Sequence, residues 1–324
     1  MLEFSVTSMV LNKIKKILPF IGIAIFIYLV IRLDITNIIK QIRSANLAYL
    51  FLAVLLLCVY VLFQTTKWYV IARAQKIKVP FKKAIKINII TNFYGFVTPA
   101  RLGSAMRAGY LKKYTGGIGK GLSNFVIDKV LDLGSIFILA IAMGFIFRNK
   151  LGFISSNSLY ILIALFLLFV LLFLVFYKKS ATKFLLRVVY RKLIPESMKA
   201  KTKTTFESFY KDIPSLSVVF IAFIINLLTW TINYLISYLI GLSLGIELNF
   251  IYYLAIYPIA TLIAQIPITI SGLGTREFTL IGLFSLFGAE PVKVFSMSLV
   301  SMILIDVVPS LAAIILLIGK RKNK

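Results

Sequence analysis

Hydrophobic and polar positions alternate along the chain in long blocks. A helix needs roughly 20 apolar residues to cross a bilayer core of about 30 Å. Apolar runs near this length occupy residues 17–33, 47–66, 121–147, 157–177, 217–241 and 292–318. The pattern therefore predicts an all-α fold, a polytopic membrane helix bundle with six full spans.

Two further apolar stretches, 84–98 and 250–288, are interrupted by residues that break helices. Non-helical backbone at membrane depth is tolerated only where protein or a water-filled cavity covers it. We therefore predict two re-entrant hairpins. The residues expected to shape their backbones are Pro99, Gly103, Pro267, Gly272 and Gly274.

The composition supports a membrane protein. Hydrophobic residues make up 60% of the 324 residues, charged residues only 15%, and the mean hydropathy is +0.95. Lys and Arg number 37 against 11 Asp and Glu, a net charge of +26. In a polar protein this excess would indicate nucleic acid. Here 29 basic residues fall in segments on one side of the predicted membrane and six on the other. This asymmetry is typical of cytoplasmic loops, so we predict no nucleic-acid partner.

The same asymmetry predicts a multi-pass protein of the cell membrane with cytoplasmic N- and C-termini. Residues 1–324 then form a single integral membrane domain. Its halves, 13–150 and 155–319, contain the same elements in opposite orientation. Inverted-topology repeats of this kind are typical of transporters. The loop 178–216 is basic, and its segment 184–193 has the spacing of a helix lying at the lipid interface.

Charged residues inside predicted spans are costly and mark candidate sites. Asp128 and Asp132 are four residues apart, so they lie on one face of a helix, and Lys129 can pair with Asp132. Two interpretations stay open: an internal ion-pair lock, or the wall of a polar path. Asp306 in the last span needs a basic partner, expected from a hairpin, and is either a structural lock or a proton or substrate site.

Arginine residues accompany both helix breaks. Arg101 and Arg107 follow Pro99, and a guanidinium group can bind phosphate bidentately. A helix starting near Gly103 would add free backbone donors. The alternative is that both arginines only reach lipid phosphates at the membrane surface. In the second break Glu277 can neutralise Arg276 or Lys129.

The chain contains no histidine and one cysteine, Cys58. It therefore cannot form an internal disulfide, a Ser-His-Asp triad or a zinc site built on histidine. We predict no metal site and no cofactor.

Three motifs, in order, resemble the lysylphosphatidylglycerol synthase/flippase transmembrane family. They are Pro99-Ala-Arg-Leu-Gly-Ser-Ala-Met-Arg107, Asp128-Lys129-Val-Leu-Asp132, and the segment from Pro267 to Glu277. The resemblance covers residues 13–318 and implies a domain that moves a lipid head group between leaflets. The chain departs from the family pattern at Ser104, Lys129 and Asp306, which leaves the head group open.

The favoured hypothesis is a transporter, not an enzyme, that flips an aminoacyl-phospholipid or a polyprenyl-phosphate sugar. Arg101, Arg107, Lys129 and Arg276 would bind the head group, and Asp128, Asp132, Glu277 and Asp306 would be their charge partners. The alternatives are a membrane-embedded lipid-phosphate transferase and a membrane anchor for a separately encoded glycosyl- or aminoacyl-transferase. Membrane lipids are the expected partners, and a homo-oligomer is compatible with the sequence.

Overall fold

The structure is a computed structural model that describes residues 22–147, 156–183, 196–266 and 269–322. Across these ranges it is helical, with one isolated β-bridge and no strand. The helices are α1 Gly22–Leu33, α2 Ile35–Arg43, α3 Leu47–Ala74, α4 Phe81–Phe96, α5 Met106–Thr115, α6 Gly119–Ile146, α7 Ser156–Tyr177, α8 Glu196–Tyr210, α9 Leu216–Ser243, α10 Phe250–Gln265, α11 Thr275–Ser285, α12 Pro291–Met302 and α13 Val308–Lys322. The predicted all-α class is confirmed.

Five stretches of helix are long and apolar enough to cross a membrane. They are α3, α6, α9, residues Tyr160–Tyr177 of α7, and the span Pro291–Gly319 formed by α12 and α13. A sixth span results if α1 and α2, which are bent by 78° at Asp34, count as one. The multi-pass architecture agrees with the hydropathy pattern. The number of full spans and hairpins, and the inverted repeat, stay predictions.

The chain divides into two compact units. We call residues 1–59, 89–104 and 231–324 the first unit, and residues 60–88 and 105–230 the second unit. The predicted halves 13–150 and 155–319 are a different division and also stay a prediction.

In the first unit, α1 and α2 pack on α12. Leu29, Ile38 and Phe295 form the buried centre of this contact, and the rings of Phe26 and Phe295 are 5.5 Å apart. Lipid tails are as apolar as these side chains, so close van der Waals packing, rather than exclusion from water, holds such helices together.

In the second unit, a buried cluster surrounds Trp68 of α3. It also contains Ala84 and Ile87 of α4 and Leu111 of α5. A second cluster joins α3, α6 and α9 through Ile71, Ile127 and Ala222. These contacts fix the faces of α3 and α6 that carry charged residues.

The final span is interrupted by one turn of π-helix, Ile303–Val307, which contains Asp306. Single π turns inside α-helices occur frequently at functional sites. The extra residue in this turn changes the direction in which Asp306 points relative to a regular helix.

The basic segment 178–216 is partly described. The predicted interfacial helix at 184–193 lies outside the described residues. Helix α8 follows it and packs against α6.

Candidate functional site

The two predicted helix breaks meet in the first unit. Pro99 and Ile270 form an antiparallel bridge, and the Ser271 hydroxyl donates a hydrogen bond of 2.6 Å to the Phe96 carbonyl. We call residues 97–103 and 269–277, together with Asp306, the turn site. Pro267, which was predicted to shape the second break, lies outside the described residues.

Glycines permit the close approach of backbone at both breaks. A Cβ at Gly103 would lie 2.0 Å from the Tyr94 carbonyl oxygen, and one at Gly274 would lie 2.2 Å from the Gly22 carbonyl oxygen. Gly272 and Gly274 have φ of 77° and 82°, a region that L side chains rarely adopt. The expected backbone freedom of these glycines is therefore present.

The first break is strained. Ala100 and Arg101 both have positive φ, 49° and 54°, although neither is glycine. A 3₁₀ turn, Leu102–Ala105, then leads into α5. The Gly103 amide, which was expected to be a free donor, instead donates to the Thr98 hydroxyl at 2.7 Å. Strained backbone of this kind clusters at functional sites.

Arg101 of the first break pairs with Asp306 of the π turn. Its Nη2 lies 2.9 Å from Oδ1 and 3.1 Å from Oδ2 of the carboxylate. The hairpin partner expected for Asp306 is therefore Arg101. The Asp306 side chain is 8% exposed but that of Arg101 is 32% exposed, so part of the guanidinium is accessible while the carboxylate is covered.

Arg276 of the second break pairs with its neighbour Glu277. Nε and Nη2 of Arg276 donate to Oε1 of Glu277 at 3.1 and 2.9 Å. The Ser298 hydroxyl donates to the same oxygen at 2.8 Å, and the Gly274 amide donates to Oε2 at 2.7 Å. Glu277 is 1% exposed. The turn site therefore has two arginines and two carboxylates, paired as Arg101 with Asp306 and Arg276 with Glu277.

A buried ion network occupies the second unit. The Lys67 ammonium lies 2.8 Å from Asp128 and 2.6 Å from Asp132. Arg107 reaches the other oxygen of Asp128 at 2.8 Å, and Lys129 lies 3.6 Å from Asp132. The predicted pairing of Lys129 with Asp132 is present. Asp128 thus holds two buried cations.

Arg107 is more enclosed than the sequence suggested. It is 3% exposed, and its guanidinium lies 4.8 Å from the ring centroid of Trp68. The Trp68 indole in turn donates to Asn88 at 3.2 Å, and Asn124 donates to the Trp68 carbonyl at 3.0 Å. Arg107 was expected to be accessible together with Arg101. Only Nη2 pairs with Asp128, whereas Nε and Nη1 are buried without a hydrogen-bond partner among the described residues.

Sequence reasoning missed Lys67. The predicted span 47–66 ends one residue before Lys67, so the hydropathy pattern places this lysine among the basic residues of a cytoplasmic loop. Helix α3 instead continues to Ala74, and Lys67 is 2% exposed. The sequence does contain a signal that the helix continues past Lys67. No proline or glycine occurs directly after this lysine, and Trp68, Val70 and Ile71 continue the apolar pattern. Ser298 was missed because nothing in sequence links it to Glu277.

A third charged cluster joins the start of α6 to the segment after α8. Asp212 accepts from Lys120 at 2.5 Å and lies 3.3 Å from Lys76. The hydrogen bond from Lys120 holds the pKa of the Asp212 carboxyl below its usual range. In the described part of the chain, no three His, Cys, Asp or Glu side chains converge as metal ligands would.

The helices and buried charges define an integral, multi-pass membrane protein with ionised groups inside its helical core. The chain belongs to the family described as the lysylphosphatidylglycerol synthase TM region, which matches residues 19–313. The resemblance seen in the three motifs is therefore confirmed.

Two other proteins are similar to this chain over almost their whole length. A UPF0104 membrane protein of Pyrococcus horikoshii is 24% identical, over 95% of this chain and 98% of its own. A UPF0104 membrane protein of Methanocaldococcus jannaschii is 25% identical, over 96% and 97%. Both names describe membrane proteins, in agreement with the helices of this chain.

Proposed function

We propose that this protein moves a lipid with a phosphate-bearing, anionic head group from one leaflet of the membrane to the other. The observation that carries the proposal is the turn site, where two breaks in apolar helices meet and each presents an arginine neutralised by one carboxylate. Membership of the lysylphosphatidylglycerol synthase TM region family agrees with a function that concerns lipids.

Arg101 is the first phosphate ligand in this proposal. Its guanidinium is partly accessible, and Nη2 alone makes its ion pair with Asp306. A guanidinium has five N–H donors in a planar fork that suits phosphate oxygens. A lipid phosphate can therefore approach the remaining edge of Arg101 before the ion pair with Asp306 breaks.

Arg276 is the second phosphate ligand. It is held more tightly than Arg101, because two of its nitrogens bond Glu277 and Nη2 also approaches the Ser298 carbonyl at 3.5 Å. Transfer of the phosphate from Arg101 to Arg276 would carry the head group along the turn site. Asp306 and Glu277 neutralise the arginines when no lipid is present, so that neither cation is left bare in an apolar environment.

The network of the second unit has a different role in the proposal. Lys67 and Arg107 are both buried, and each forms an ion pair with the buried carboxylate of Asp128. A network of this kind is costly to open. This cost favours the first interpretation of Asp128 and Asp132, an internal ion-pair lock, over the second, the wall of a polar path. Lys129, the most exposed cation of the network, stays a candidate contact for a head group.

Cargo, partners and location extend the proposal. Aminoacyl-phospholipids and polyprenyl-phosphate sugars both contain the phosphate that Arg101 and Arg276 would bind. A separately encoded transferase would supply such lipids. We place the protein in the cell membrane with cytoplasmic termini, following the distribution of Lys and Arg.

The test is translocation in proteoliposomes that contain a fluorescent phosphatidylglycerol, with external dithionite to bleach the outer leaflet. Arg101→Gln and Arg276→Gln should each slow translocation about tenfold or more, since a hydrogen bond to a charged group contributes about 1.5–3 kcal/mol. Arg73→Gln is the matched control, because Arg73 is exposed at the end of α3. Rates for R101Q and R276Q equal to that of R73Q would contradict the proposed roles. A chelator should leave all rates unchanged, whereas a metal-dependent transferase would lose activity.

A further inference from the structure

A groove with apolar walls lies in the second unit, between α6, α7, the end of α8 and the segment that follows it. It encloses about 220 Å³. The residues that line it are Ser123, Val126, Ile127, Val130, Phe169, Leu172, Phe173, Phe176, Tyr177, Phe209 and Ile213. We call it the aromatic groove, because Phe and Tyr side chains form much of its wall.

A second cavity of about 390 Å³ adjoins the aromatic groove and shares Phe176 and Phe209 with it. Its other walls come mainly from one face of α8, which carries Met198 and Phe206 together with Lys201 and two threonines. The Tyr210 hydroxyl, which donates to the Phe176 carbonyl at 2.8 Å, fixes α8 against the end of α7. Together the two cavities reach the size of ordinary ligand pockets.

The outer wall of the groove is formed by exposed residues of the apolar helix α7. Helix α7 has no buried residue in its spanning stretch, Tyr160–Tyr177, and Leu172 on this helix is 51% exposed. Apolar chains of membrane lipids are the abundant molecules that can enter from this side. Aromatic side chains offer such a chain large apolar contact areas.

Cations border the end of the groove that is nearest the start of α6. Lining residue Ser123 follows Lys120 by one helical turn and accepts a hydrogen bond of 3.0 Å from Gln75. Lining residue Ile213 follows Asp212, which pairs with Lys120 and Lys76. This cluster has two lysines and one carboxylate, and therefore an excess positive charge.

We infer that the aromatic groove binds one anionic phospholipid, with a hydrocarbon chain between α6 and α7 and the phosphate at Lys76 and Lys120. The Lys76 side chain is 76% exposed, so its ammonium can turn from Asp212 to a phosphate without unfolding any element. Lys201 is a further cation, on the wall of the adjoining cavity. This site uses no residue of the turn site and does not depend on the proposed function.

The experiment is native mass spectrometry of the full chain in detergent, with phosphatidylglycerol and phosphatidylcholine supplied in equal amounts. The wild type should retain one phosphatidylglycerol in preference to phosphatidylcholine. Lys76→Gln should reduce that preference about fivefold, the effect of about 1 kcal/mol for a lysine near an anionic lipid. Lys78→Gln, an exposed lysine two residues away, is the matched control.

The chain-binding part of the site has its own pair of variants. Leu172→Trp should fill the groove and reduce the bound lipid several-fold, whereas Leu171→Trp, at a residue that is 58% exposed and does not line the groove, should not. Val126→Phe should fill the groove from the α6 wall, and it replaces L172W in the experiment if that variant fails to fold. Equal retention of the two lipids by the wild type would overturn the inference. The inference would also be overturned if L172W and V126F bound as much lipid as the wild type. It would be overturned as well if K78Q lost as much of the preference for phosphatidylglycerol as K76Q.

Discussion

Asp128 holds the ion network of the second unit together, and its replacement by asparagine should be strongly destabilising. The Asp128→Asn variant leaves Arg107 without a carboxylate partner, while Lys67 keeps Asp132. Removing one partner of a buried ion pair costs about 3–5 kcal/mol, because the remaining charge is left uncompensated. We expect a loss of this size in the free energy of unfolding, measured by circular dichroism during titration of detergent micelles with a denaturing detergent.

Two further variants of the same network should behave differently from D128N. Asp132→Asn should cost less, about 1.5–3 kcal/mol, because Lys67 keeps Asp128 and the Lys129 side chain is partly exposed. The double variant Asp128→Asn/Arg107→Gln removes one charge of each sign and should be more stable than D128N alone. A D128N variant as stable as the wild type, or a double variant with additive losses, would refute the network.

Three further predictions concern local geometry. Gly103→Ala should destabilise the protein severely in a thermal unfolding assay, because the new Cβ meets a backbone carbonyl of α4. Gly109→Ala is the control and should be neutral or stabilising, because a Cβ there would have no atom within 4 Å. Ala100→Gly should add about 1 kcal/mol of stability by relieving the positive φ, and Ala108→Gly, inside α5, should reduce stability in the same assay. The lowered pKa of Asp212 contributes stability that is fully present above pH ~3.9 and is lost as the pH falls through the folded-state pKa. Asp212→Asn should flatten this dependence in unfolding scans across acidic pH, and an unchanged profile would contradict it.

Hydropathy predicted the main helices well because a span must be continuous and apolar. The predicted runs 47–66, 121–147 and 217–241 correspond to α3, α6 and α9. The helix breaks were also predictable, because Pro99 and the glycines Gly272 and Gly274 restrict or extend backbone freedom in ways that sequence displays.

The pairing of charges was only partly predictable. Lys129 with Asp132 follows from helical spacing, and Arg276 with Glu277 from adjacency. The partner of Asp306 was predicted only as a basic residue from a hairpin, because the pair with Arg101 joins residues 205 positions apart. The π turn that presents Asp306 has no sequence signature of its own.

Lys67 shows why a hydropathy window fails at the end of a span. A lysine at the edge of an apolar run is read as the first residue of a polar loop. Here two aspartates on the next long helix neutralise it, so the helix continues and the lysine is buried. This contact depends on packing between distant segments, which spacing within one helix cannot reveal.

Charge selectivity of translocation tests the central claim most directly. Proteoliposomes of the wild-type chain would carry fluorescent phosphatidylglycerol in one preparation and fluorescent phosphatidylcholine in another, both with the same dye on an acyl chain. If Arg101 and Arg276 bind the head group of the cargo, initial rates of movement should be several-fold faster for the anionic lipid. Equal rates for the two lipids, or no movement above that of protein-free liposomes, would contradict the account.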